Sequence, residues 1–435
     1  MSETLIRGRV LTFHAEPQGM DDHASYSYEE DGAVLVRDGI IAACGDYEDV
    51  AAKAGPEHLV IDHRPHLILP GFIDAHAHFP QMQVIASYGA ELLDWLNNYT
   101  FPEELRFDDL QHGRRVARLF LDELLRNGTT TVAAYCSVHK TSTEAFFAEA
   151  HARNMCVVAG KVMMDRNAPD GLTDTPQSSY DDSFALIEEW HGRGRLNYAV
   201  TPRFAITSTP EQMEMAGALM RAFPDLHMQT HLSENHAEIA FTQTLYPDAP
   251  DYTGIYEHYG LLGPKALFGH CIHLSEREAD VLSDSGSVAV FCPTSNLFLG
   301  SGLFDYQRYR RRAKPLRIAS ATDVGGGTSY SMLRTMDEGY KVIALNGEKL
   351  NPLASFWQIT RGNAQALSLV ERVGTLEEGT DADLVVLNAR ATPVMALRME
   401  RADSLAEELF VLQTLGDDRA VVETYVAGEA VKSAL

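Results

Sequence analysis

Cysteine is scarce, basic charge is outnumbered and long apolar runs are missing, and each shortage removes a class of protein. The five cysteines, Cys44, Cys136, Cys156, Cys271 and Cys292, are odd in number and scattered, with no Cys-x-x-Cys pair. Neither a disulfide framework nor a thiolate zinc site is therefore expected, and a reducing compartment fits. Lysine and arginine total 36 against 61 acidic residues, a formal net charge of −25, which would repel phosphate backbones. The densest basic cluster, Arg308 to Lys314, adjoins a helical pattern and reads as a solvated face. Apolar runs fall well short of the roughly eighteen residues a membrane helix needs, and the N-terminal stretch carries acids where a secretory signal has an apolar core. A soluble cytoplasmic protein with a small-molecule partner, and neither nucleic acid nor membrane, is expected. Internal repeats and low-complexity segments are also absent.

What is present suits a large barrel with a smaller domain, since 435 residues exceed one ordinary core. From Thr4 to Ile68 the pattern is short strands and turns, with Asp38-Gly39 between apolar runs as a hairpin signal. After Pro70 strands and helices alternate, with strands at about 71–78, 129–137, 155–164, 196–204, 226–234, 266–273, 287–296 and 316–323. Helical patterns lie between them, among them Pro102 to Asn127, Ser208 to Phe223 and Ser275 to Ser285. Eight such units predict a closed α/β barrel of the (β/α)8 kind spanning 70–373, with a doubly wound open sheet as the competing topology. Beyond the helix at Leu353 to Leu367 the chain returns to strand-and-turn character, as in Val373 to Leu387 and Val421 to Val426. Residues 1–69 and 374–435 are each too strand-poor for a core, so together they are expected to build one small β-sandwich domain.

The stretch Leu69-Pro70-Gly71-Phe72-Ile73-Asp74-Ala75-His76-Ala77-His78 organises the rest. On an extended chain Asp74, His76 and His78 share a face, and Phe79-Pro80 ends the strand directly after them. An isolated His-x-His is weak evidence, but other strand ends carry matching chemistry: His231 and Glu234, then His270, then Thr322-Asp323 before a glycine run. Buried polar groups converging on one rim are best explained by a cation among them. Imidazoles with one carboxylate and no thiolate suit Zn2+, with Fe2+ or another divalent ion as alternatives. The expected ligands are His76, His78, His231 and Asp323; His270 is either a further ligand or a hydrogen-bond donor to a reacting oxygen. Glu234 is either a proton shuttle or an acid stabilising the turn Ser233 to His236. Lys161 reads as a structural ion pair rather than a carboxylated metal bridge, and His139 and His273 as local hydrogen-bonding residues. The tripeptides His14 to Glu16 and His236 to Glu238 imitate half of a zinc nucleobase-deaminase signature without its Pro-Cys-x-x-Cys, so that other fold is rejected.

With these residues in place the chain resembles the amidohydrolase superfamily along nearly its whole length, including Gly379-Thr-Asp-Ala-Asp-Leu on the return strand. Within it, His78-Phe-Pro-Gln81, the stretch Leu92 to Glu103, Gly160 to Asp165, Thr201-Pro-Arg-Phe204, His231 to Asn235, Thr322 to Gly326 and Tyr330 to Leu333 resemble the guanine deaminase family. The resemblance implies a zinc enzyme of purine metabolism that hydrolyses guanine to xanthine and ammonia. It implies zinc on His76, His78, His231 and Asp323, and the purine held by Gln81, Arg203 and Phe204 beside His231 and Glu234. Catalysis would fall to Glu234, Asp323 and His270, with one metal ion per subunit and a homodimeric assembly. Trp95 and Tyr99 are either lid or packing residues in a segment that could cap the pocket. Two other readings stand beside this one: a hydrolase of a related heterocycle (oxidised guanine, cytosine or a triazine), and a non-catalytic barrel-fold binding protein, which would have lost these ligands.

Overall fold

A computed structural model describes residues 3–88 and 92–432. Four strands precede the barrel: β1 (Glu3–Phe13), β2 (Tyr26–Arg37), β3 (Ile40–Asp46) and β4 (Leu59–Pro70). The turn joining β2 to β3 places Asp38 at φ 48° and Gly39 at φ 84°, the left-handed pair that a two-residue hairpin demands and that Asp-Gly tolerates. The barrel strands follow: β5 (Phe72–His78), β6 (Thr129–Tyr135), β7 (Cys156–Gly160), a two-residue β8 (Val162–Met163), β9 (Leu196–Pro202), β10 (His227–Leu232), β11 (Ala266–His270), β12 (Val288–Phe291) and β13 (Arg317–Ser320). Last come β14 (Leu384–Leu387), β15 (Val421–Val426) and β16 (Glu429–Ala430).

Eight of these strands pair in parallel in the order β5-β6-β7-β9-β10-β11-β12-β13. The seam is stitched just past β13, where Asp323 N donates to His76 O at 2.9 Å and His78 N to Val324 O at 3.0 Å. The result is a nearly closed (β/α)8 barrel, and its helices shield strands that are buried along almost their whole length. The short β8 pairs with β9 off this path, and the other seven described strands form a second sheet drawn from both ends of the chain, ordered β16-β15-β14-β4-β1-β2-β3. Its outer strand β3 bonds the segment leading into β14, with Ile41 N donating to Thr380 O and Gly379 N to Ile41 O, both at 2.9 Å. The sheet therefore curls back on itself around Ile6, Val34, Ile41, Ile68, Leu384 and Val386.

Arg195 ties the two sheets together. Entirely within the protein, it pairs with both carboxylate oxygens of Asp383 and lies 3.0 Å from Asp381. Arg195→Ala would leave the buried Asp383 carboxylate without its cation, while Asp381 keeps Arg372, so we expect a loss of about 3–5 kcal/mol in urea unfolding.

All eight barrel strands lie where the periodicity predicts, with four corrections around them. Leu67 to Pro70 does not extend the histidine-bearing strand; it ends β4 and pairs with β14. The seventh strand stops at Phe291, because Pro293 opens a short helix, Pro293–Phe298. The predicted helix from Pro102 to Asn127 is interrupted at Asp109, whose carboxylate caps a new helix, Leu110–Arg126, by accepting from Gln111 N and His112 N. The C-terminal region is not strand and turn throughout. Helices Pro393–Met399 and Leu405–Leu415, capped by Thr392 and Ser404, separate β14 from β15 and pack Leu409 and Leu412 against Met332, Leu333 and Leu353.

Candidate active site

Alternation along β5 brings the imidazoles of His76 and His78 together, Nε2 to Nε2 at 3.2 Å. β10 brings His231 Nε2 to 3.2 Å from His78 Nε2. Asp323 closes the group with Oδ1 at 3.3 Å from His76 and 3.4 Å from His78. Gly269 on β11 makes room, since a Cβ there would stand 2.8 Å from the His76 ring. Asp74, on the same face as the two histidines, does not join them. It accepts from Thr322 N at 3.0 Å and from the Thr322 hydroxyl, so it pins β5 to the end of β13. Burial pushes its carboxyl up to about 7.

The group has the chemistry of a cation site. His231 Nδ1 lies 2.7 Å from the Arg203 carbonyl, and only an N–H can bond there, so the proton sits on Nδ1 and the Nε2 lone pair faces inward. Burial, then the neighbouring imidazoles, holds His231 and His78 well below the usual histidine range, so both rings are neutral. The Nε2 atoms of His78 and His76 stand close enough to that lone pair to share a cation with it. Ligands about 2.0–2.1 Å from a tetrahedral ion stand about 3.3 Å apart, and the spacings here match. His76, His78 and His231 form one group with ligand atoms within 4.8 Å of one another, and His76, His270 and Asp323 form a second. Burial alone would raise the Asp323 carboxyl, but His76 and His270 hold it at about 2.

Beside this group stand Glu234 and His270. Their side chains face each other, His270 Nε2 at 3.3 Å from Glu234 Oε2 and 3.8 Å from Asp323 Oδ2. Burial raises the Glu234 carboxyl above its ordinary value, which favours the protonated acid. Burial pulls His270 down, yet Glu234 and Asp323 outweigh it and leave the imidazole raised. Glu234 does not stabilise the following turn; Asn235 caps helix His236–Leu245, and Glu238 accepts from Glu234 N and Asn235 N. Its Oε1 instead accepts from the Ser301 hydroxyl at 2.9 Å. Backbone strain concentrates here, with Ser233, His270, Cys271 and Asp323 at φ between 50° and 70°.

One pocket is lined by His78, His231, Glu234, His270 and Asp323 together with Gln81, Arg203 and Phe204, with His76 buried just behind them. Leu92, Trp95, Leu96 and Leu299 complete its apolar wall. Trp95 thus both lines the pocket and packs against Tyr135 and Phe204 in the core beside it, while part of the segment expected to cap it, residues 89–91, lies outside the described residues. Lys161 is the buried ion pair expected of it, 2.5 Å from Asp174. His273 accepts a local role, bonding Ser301 O at 2.9 Å under the ring of His236; His139 sits at the start of helix Lys140–Ala152.

Three residues of the site escape sequence reasoning. Asn296 holds His270 Nδ1 at 2.9 Å, but it was hidden in a stretch that reads as strand. Ser301 is one serine of many. Glu104, wholly buried, accepts from Gln81 Nε2 at 3.0 Å and from Arg203 Nη1 at 2.7 and 2.9 Å; only its place beside Pro102-Glu103 marks it.

A (β/α)8 barrel gathering imidazoles and a carboxylate at the carboxyl ends of its strands has the architecture of a metal-dependent hydrolase. The chain belongs to the amidohydrolase family, whose profile matches residues 67–431. It is 47% identical over 427 residues to the guanine deaminase of Escherichia coli (strain K12), covering 98% of this chain and 97% of that one. Two solved structures superpose on nearly its full length. The guanine deaminase of Bradyrhizobium japonicum is 38% identical with a TM-score of 0.95, covering 99% of both chains. That of C. acetobutylicum, solved with guanine in its active site, is 31% identical with a TM-score of 0.88, covering 99% of this chain and 100% of that one.

Proposed function

We propose that this protein hydrolyses guanine to xanthine and ammonia at the pocket above. The observation that carries the reading is the meeting, in one enclosure, of a cation-type donor set, a protonatable buried glutamate and a polar pair suited to a purine edge. His76, His78, His231 and Asp323 would hold a divalent ion, which we take to be zinc. When bound, that ion supplies the Lewis acidity that makes water nucleophilic near neutral pH.

The chain's own residues do the rest. Arg203 donates to the purine O6 and Gln81 meets the neighbouring ring nitrogen, while Phe204 offers an aromatic face to the base. Asp323 takes a proton from the attacking water. Glu234, whose carboxyl burial raises, delivers a proton to N3 and then assists departure of the amine from C2. His270, oriented by Asn296, steadies the oxygen that becomes anionic at C2. Leu92, Trp95 and Leu96 keep bulk water away from the reacting carbon.

We take the protein to be homodimeric, and cytoplasmic because its scattered free cysteines suit a reducing compartment. The same reading divides the chain into 70–373 and the paired ends 1–69 and 374–435. Ammonia release from guanine, with xanthine formed in equal amount, tests the activity. Cytosine, a triazine and an oxidised guanine in parallel should react far more slowly, and faster turnover of one of them would move the assignment. Arg203→Met should lower kcat/KM for guanine by about 100-fold or more, chiefly through KM. Because Lys161 is engaged by Asp174, metal analysis should find one ion per chain, and Lys161→Met should leave that count unchanged.

A further inference from the structure

We infer that Glu104 is the positioning residue that sets which purine edge this pocket accepts, an inference that rests on the guanine reading above. Glu104 does not line the pocket; it stands behind Gln81 and Arg203, fully buried, and bonds both. A carboxylate only accepts, so the Gln81 amide must present its nitrogen to Glu104 and keep its oxygen at the other end. That oxygen lies against Gly325, where an added Cβ would fall 2.1 Å away, so the glycine leaves the space the amide needs. Glu104 also neutralises Arg203 through a two-oxygen contact and fixes the guanidinium in the pocket wall.

With one N–H held by Glu104 and its oxygen left as the free acceptor, Gln81 beside Arg203 would set an acceptor next to a donor in the pocket they both line. Guanine offers the complement, an O6 acceptor beside an N1–H donor. A purine with an amine at C6 offers the reverse, a donor beside a bare N1 acceptor, and meets two mismatches. If Glu104 were a neutral amide, it could donate to Gln81 instead, and the Gln81 amide would be free to turn its nitrogen toward the substrate. Glu104 thus enforces specificity without touching the substrate, through the rotamer of its neighbour.

The test compares guanine with 2,6-diaminopurine, which carries the same amine at C2, on wild type and Glu104→Gln. Guanine kcat/KM should fall by about tenfold or more, and the preference for guanine over 2,6-diaminopurine should shrink by about tenfold or more. Metal content should stay at the wild-type value. A residue with a merely structural role would slow both substrates alike, so an unchanged preference in folded, metal-loaded Glu104→Gln overturns the inference while leaving guanine deamination intact. Wild type inert toward guanine would overturn the functional reading and this inference together. Should Glu104→Gln fail to fold, Glu104→Asp carries the test: it keeps a charge for Arg203 but withdraws the oxygens from Gln81 by one methylene, and the same narrowing of preference is expected.

Discussion

Glu234→Gln is expected to lower turnover of guanine by about 10³-fold or more while leaving the metal bound. The side chain keeps its volume, and its amide still accepts from Ser301, so folding should survive. What is lost is a proton. The expectation follows from place: the carboxyl group lines the pocket beside His270, buried, and is relieved of any capping duty by Asn235 and Glu238. The pH profile carries the same sign. Burial raises the Glu234 carboxyl, so its acid form persists to higher pH than a free glutamic acid's, and the rate should fall as pH rises through that raised value. The limb assigned to Glu234 should be missing from the residual activity of Glu234→Gln. A variant with normal rates, or one that loses its metal, would contradict the assignment.

The second large effect is expected at the donor set itself. His231→Ala should weaken metal binding by more than about 100-fold and abolish turnover with it. Asp323→Ala should do the same, since Asp323 reaches the same pair, His76 and His78, that His231 joins from another strand. Asn296→Ala makes the contrast. It removes the acceptor that orients His270 but no ligand, so kcat should fall with metal content unchanged. Metal analysis beside steady-state rates separates the two patterns.

Much of this site can be read from the order of residues because its ligands sit at strand ends, where period-two alternation and the sudden stop at Phe79-Pro80 are visible locally. His76 and His78 are legible on one strand; His231, His270 and Asp323 become legible once eight strands have been counted, for a closed barrel has only one carboxyl-terminal mouth. The terminal sheet is less legible. Leu67 to Pro70 reads as one apolar run with Phe72 and Ile73, and only tertiary pairing with β14 assigns it to the other sheet. Helix Leu405–Leu415 has modest helical patterning and is held by packing against Met332, Leu333 and Leu353, partners roughly fifty to eighty residues away in sequence that no local window contains.

The supporting shell is the least legible part. Asn296, Ser301 and Glu104 act through one or two hydrogen bonds each, to side chains that are near them only after folding. Polar residues of these types are common and mostly solvated. Nothing in the sequence separates Glu104 from Glu103 beside it, yet Glu103 pairs with Arg106 and His112, while Glu104 turns inward to Gln81 and Arg203. The difference is a matter of which way a helical turn faces after Pro102.

The most direct measurement is guanine turnover by the purified protein before chelation, after removal of metal, and after return of one equivalent of zinc. The account predicts xanthine and ammonia in equal amounts, loss of both on chelation, and recovery at one ion per chain. Undiminished turnover by metal-free protein, or no release of ammonia from guanine by fully loaded protein, would contradict it.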